Sequence, residues 1–128
     1  MVHPPVGLVM EQVNVLHRKD TMKLIDLKDQ MLKILSTAQK ERDQRRGQVT
    51  ITNAWNQTED IPEWALYEMN VMKNTVNSIR ESKQLPPITL TDIMRVESGA
   101  CGHCDYSSKF ALYCAELTFK SEKEIQYP

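Results

Sequence analysis

TMKLIDLKDQMLKILSTAQKERDQRR, residues 21–46, places Leu24, Leu27, Met31, Ile34 and Ala38 at alternating steps of three and four. That spacing lines one seam of a helix with apolar side chains. Asp20 or Thr21 stands where an N-cap belongs and Gly47 where a left-handed C-cap ends a helix, so the predicted helix runs from 21 to 46. Ile25, Leu32 and Leu35 add a second apolar face to its first half, which predicts two packing neighbours. Residues 39–46 are polar all round and are expected to project beyond the core.

A second stripe, Ala65, Met69, Met72, Val76 and Ile79, repeats the same steps. Asp60 as N-cap, Pro62 in the first turn and Glu63 three residues on have capping-box spacing, and Pro86-Pro87 stop the helix after about Lys83. Thr89 or Thr91 caps a short helix through Ile93, Met94 and Val96 that ends at Ser98-Gly99. A last helix from Tyr106 carries Tyr106, Phe110, Cys114 and Leu117 on one face. Between the long helices, Val49 and Ile51 alternate with Thr50 and Thr52, a strand-like period. The segment is too short to make a sheet alone and needs a second copy or a partner's edge. The expected fold is therefore all-α: two long antiparallel helices plus shorter C-terminal helices, with a short extended segment in the long connecting loop.

The expected organisation is one helical domain over 21–119, a frayed charged tail over 120–128, and an N-terminal extension over 1–20 that is poorly ordered or a short helix on Val6, Val9, Val13 and Leu16. Arg18-Lys19-Asp20-Thr21-Met22 is encodable by a purine-rich tract before an ATG. This reading puts the native start at Met22, the extension outside the native product, and the gene in a bacterium or phage.

At 128 residues the chain has room for one core and not two. A net charge of −1 gives no global attraction to nucleic acid or to an anionic membrane, so any such contact must be local. Charges interrupt every apolar run, the N-terminus lacks a signal-peptide pattern, and three cysteines are an odd number for a disulfide scaffold. Together these predict a cytoplasmic protein with no membrane association. Seven methionines, several on the stripes, suit either a core or an adaptable partner surface.

Reactive side chains are densest at Cys101-Gly102-His103-Cys104. The tetrapeptide is identical to the redox motif of protein disulfide isomerases, a resemblance confined to residues 101–104 that implies thiol chemistry at Cys101 and Cys104. Cys101 and Cys104 also have zinc-knuckle spacing, with Cys114 as a third ligand and no obvious fourth. The plainest alternative makes Cys101 and Cys114 small buried hydrophobes, with Gly99 and Gly102 shaping a turn. A helix-turn-helix over 91–117 fits poorly, because Arg95 occupies a position that wants a small residue.

Enzyme signatures are absent: there is no phosphate loop, HExxH, GxSxG or EF-hand pattern. The chain is therefore read as a non-enzyme without a cofactor, zinc at the cysteines being the single exception. Lys40, Arg42, Arg45 and Arg46 gather positive charge at one helix end, and Trp55 lies in the long loop as either a lid folded on the helices or an exposed anchor. The functional expectation is a small protein–protein interaction module (adaptor, inhibitor or regulator) that contacts its partner through Arg42, Arg45, Arg46 and Trp55 and self-associates. Two alternatives are a nucleic-acid-binding regulator using the basic residues at 40–46, and a zinc or thiol protein using the cluster at 101–104.

Overall fold

A computed structural model describes residues 23–127. The extension over 1–20 and the start at Met22 lie outside the described residues. Among the described residues the elements are α1 (Leu24–Gln39), β1 (Gln48–Thr52), β2 (Thr58–Pro62), α2 (Glu63–Ser82), α3 (Leu90–Ala100) and α4 (Tyr106–Leu117). Short 3-10 turns lie at Arg42–Gln44 and Glu122–Glu124. The four helices and the two-stranded antiparallel sheet among the described residues make this a mostly helical α+β fold, which corrects the all-α expectation.

The sheet arises inside the segment read as a loop and helix cap. Val49 pairs with Ile61, Thr50 with Asp60 and Thr52 with Thr58, so β1 finds its partner ten or so residues on in the same chain. Asp60 does not cap α2: its carboxylate accepts the Thr50 hydroxyl across the ladder at 2.6 Å. The helix starts instead at Glu63 behind Pro62, without a side-chain cap. One of its orphan N–H groups is met by the backbone, where Glu63 donates to the Gly47 carbonyl at 2.7 Å.

Both stripes enter the core. Leu27, Met31, Ile34 and Ala38 of α1 and Met69, Met72, Val76 and Ile79 of α2 are buried, while Leu24 lies largely outside at 38% exposure. The second apolar face of α1 is answered by α4, against which α1 packs more extensively than against α2. Leu35 of that face is fully buried, and Ile25 stays exposed. Helix α4 is covered by α1, α2 and α3. It therefore buries Ala111 and Ala115 as well as Phe110, Cys114 and Leu117, its small residues letting neighbours approach closely. Each fully buried large side chain, Phe110 or Ile34 for example, contributes roughly 1.5–3 kcal/mol.

Polar side chains fasten the loops to this core. Asn77 acts as a strand-like partner for Ile88, donating to its carbonyl at 3.0 Å and accepting its N–H at 2.7 Å. Thr89 and Asp92 form a capping box that starts α3. The segment from residue 120, expected to fray, instead forms a capped 3-10 turn on Ser121 and Glu124. Ile125 is buried beyond it, and the Tyr127 ring stands edge-on to Tyr113 at 5.3 Å.

Candidate functional site

The basic segment meets α2 at its first two turns. Helix α1 stops at Gln39, not at residue 46, and the chain folds back through the 3-10 turn. Arg42 donates to Glu68 through Nε at 2.7 Å and Nη2 at 2.9 Å, and its guanidinium lies 4.1 Å from the centre of the Trp64 ring. Arg45 lies 3.7 Å over Tyr67 and pairs with Glu63 at 3.6 Å. Each arginine thus takes one aromatic and one carboxylate spaced four apart on α2, Trp64 with Glu68 and Tyr67 with Glu63. That match of three-residue and four-residue spacing is the physical reason the predicted projection does not form. The bond to Glu68 raises the Arg42 pKa further above its ordinary value. Of the expected contact residues, Arg42 and Arg45 are engaged within the fold. Arg46 is exposed, 3.9 Å from the equally exposed Asp43.

Trp55 stands at the tip of the hairpin with 60% of its surface exposed, so it is not a lid. The turn that carries it is locked by Asn53. The Asn53 side-chain oxygen accepts the N–H groups of Trp55 at 2.9 Å and Gln57 at 3.0 Å, and its amide donates to Glu59 at 3.1 Å. Asn56 takes the left-handed conformation such turns require, at φ 61°.

A cleft of about 430 Å³ opens beside the Arg42–Glu68 pair, between the start of α2, the end of α3 and the start of α4. Ile61, Pro62, Ala65 and Met69 supply apolar wall, and Trp64 with the Arg42–Glu68 pair forms one polar side. Glu97 and Tyr106 add further polar lining, near enough to the pair for Tyr106 to feel the charges of Arg42 and Glu68, and the exposed Cys101 and Gly102 complete it. The Tyr106 hydroxyl donates to the Glu97 carboxylate. Burial raises the Glu97 pKa, partly offset by that hydrogen bond. Burial and the neighbouring carboxylates push the Tyr106 hydroxyl far up, so it remains a proton donor throughout the neutral range.

The cysteines separate. Cys101 and Cys104 are exposed, whereas Cys114 is sealed in the core, where burial raises its thiol pKa strongly. Cys101 is therefore not the buried hydrophobe of one reading, and Cys114 is not brought to the other two as a third ligand. Among the described residues no group of three or more histidines, cysteines or acids is placed to hold a metal ion. Gly102 turns the chain at φ +86° between the two exposed thiols.

Glu68, Glu97, Trp64 and Tyr106 were not singled out from sequence as site residues. A usable signal existed for Glu68: it precedes Met69 on the striped helix and shares a row with Met72, Thr75 and Ile79, all of them buried. A carboxylate on such a row announces a buried partner. Comparison with protein-family models, with curated proteins and with solved structures finds no match to this chain.

Proposed function

We propose that this chain is a protein–protein interaction module, an adaptor, inhibitor or regulator without a catalytic step, that docks its partner through the hairpin tip. The observation that supports it is Trp55, an exposed indole held on a turn already locked by Asn53. A large aromatic with little entropy left to lose is the kind of residue that dominates binding energy at interfaces. Arg46 remains as an exposed polar companion, while Arg42 and Arg45 serve the scaffold. In this reading the module works in the cytoplasm of a bacterial or phage-infected cell and self-associates through the exposed end of α1, Leu24 and Ile25. Among the described residues no helix is long and apolar enough to cross a membrane.

The test immobilises the wild-type chain and Trp55→Ala in parallel, passes an extract of the source cells over both, and quantifies what each retains. The reading expects a protein retained by the wild type and lost from the variant, and a weakening of about 2 kcal/mol, near thirtyfold, when the purified pair is titrated. Identical retention by both chains removes the hairpin tip as the contact. The nucleic-acid alternative would instead show DNA or RNA affinity falling steeply with salt.

A further inference from the structure

The cleft beside α2 has an imbalance of charge that its lining does not resolve. Arg42 and Glu68 are matched to each other by two hydrogen bonds, Glu68 being 2% exposed and the Arg42 side chain 39%, so the pair adds no net charge to the cleft. Glu97 is different. It is half-buried in the cleft wall, its partner is the neutral Tyr106 hydroxyl, and among the described residues it makes no ion pair. The remaining walls, Ile61, Pro62, Ala65 and Met69, are apolar. A volume of about 430 Å³ lies in the range that holds a small organic molecule.

We propose that this cleft binds a primary ammonium carried on an apolar stem, with the Glu97 carboxylate as counter-ion and the Ile61–Met69 wall covering the stem. An anion would face Glu97, and the cation in the lining, Arg42, is already paired with Glu68. A neutral apolar guest would leave the half-desolvated carboxylate uncompensated. An ammonium supplies both the charge and up to three hydrogen-bond donors to a carboxylate whose other partner already comes from Tyr106. The raised pKa of Glu97 points the same way: burial raises it, the Tyr106 hydrogen bond acts against that, and the carboxylates of Glu59 and Glu68 raise it further. The exposed Gly102 leaves its part of the lining open: a Cβ added there would meet no atom within 4 Å. The same chemistry is presented by a free arylalkyl amine and by a lysine side chain of a docked protein.

The experiment titrates the full-length chain by calorimetry and by amide NMR with 2-phenylethylamine, with its neutral counterpart 2-phenylethanol, and with Nα-acetyl-lysine methylamide. The expected result is saturable binding of at least one of the two amines, with shifts centred on Glu97, Gly102 and Tyr106. Binding should be about tenfold or more weaker for the alcohol than for phenylethylamine, or for Glu97→Gln than for the wild type. Preference for phenylethylamine assigns the cleft to a free amine, and preference for the lysine derivative assigns it to a partner's lysine. Absence of binding by both amines, equal binding of the preferred amine and its neutral counterpart, or full affinity in a folded Glu97→Gln overturns the proposal. The amine–alcohol comparison for phenylethylamine, and that of the lysine derivative with its neutral counterpart Nα-acetyl-norleucine methylamide, need no variant and decide the matter even where Glu97→Gln does not fold. None of these outcomes depends on Trp55, so they stand apart from the hairpin reading.

Discussion

The guanidinium of Arg80, on α2, donates to the carbonyl of Leu117 at the last turn of α4, at 2.7 Å. The same side chain reaches the carbonyls of Lys120 at 2.9 Å and Pro86 at 2.7 Å, and it is 6% exposed. A positive charge at the negative end of α4 thus ties together the α2 terminus, the proline loop and the start of the C-terminal segment. Arg80→Ala is expected to cost about 3 kcal/mol, since it leaves buried carbonyls unsatisfied. Arg80→Lys should recover less than half, because an ammonium lacks the planar fork that spans three acceptors. Urea denaturation of the three proteins measures this, and an alanine variant within about 0.5 kcal/mol of the wild type would refute the clamp.

The Arg42–Glu68 pair makes a second prediction. Removing Arg42 strands a carboxylate that is 2% exposed, and breaking such a pair costs about 3–5 kcal/mol. Arg42→Ala is therefore expected to be severely destabilised, beyond the loss of stacking on Trp64. Arg42→Ala combined with Glu68→Met should be more stable than Arg42→Ala alone, because the stranded charge is gone. A double variant no better than the single one would mean that Glu68 is adequately solvated without Arg42.

Burial raises the Glu97 pKa, the Tyr106 hydrogen bond acting against it. The folded state therefore holds this proton more tightly than the unfolded chain. The corresponding stability is fully present below the unfolded value, about 4.3, and is lost as pH rises through the higher folded value. Glu97→Gln keeps an acceptor for Tyr106 and removes the titration. Its melting temperature relative to the wild type should rise from pH 4 to pH 7. Melting curves at both pH values test this, and the opposite trend would show that the ionised carboxylate is the favoured form.

What the sequence made legible follows from how local each determinant is. Leu27, Met31, Ile34, Met72 and Val76 are buried as their spacing implies, because a helix face depends on residues three and four apart. The hairpin was half visible: Val49 and Ile51 showed the strand period, but the partner strand contains Asp60 and Pro62, whose local spacing imitates a helix start. There a cross-strand pairing overrode a local signal. The basic run was misplaced for a similar reason. Its polar pattern says only that it is not core, and the ring and carboxylate that hold Arg42 lie 22 and 26 residues further on. The cleft was hidden because Glu97 and Tyr106 are brought to Arg42 only by tertiary packing.

Gly99 lies inside α3, where alanine would ordinarily be favoured by about 0.5–1 kcal/mol. Here the sign is reversed by the tail. A Cβ at Gly99 would collide with Cδ1 of the Tyr127 ring, closer than real contacts permit. That ring is in turn held edge-on to Tyr113 and by its hydroxyl, which donates to Glu122 at 2.9 Å. Gly99→Ala alone should therefore displace Tyr127 and destabilise the fold by about 1–2 kcal/mol, in line with overpacking of a filled site. With Tyr127→Ala already in place, the obstacle is removed and the same Gly99→Ala change should become stabilising by its helix propensity. A thermodynamic cycle over the four proteins reads the coupling directly. If Gly99→Ala has the same effect in both backgrounds, Tyr127 does not rest on α3 in solution; a change of sign places the C-terminal segment against that helix.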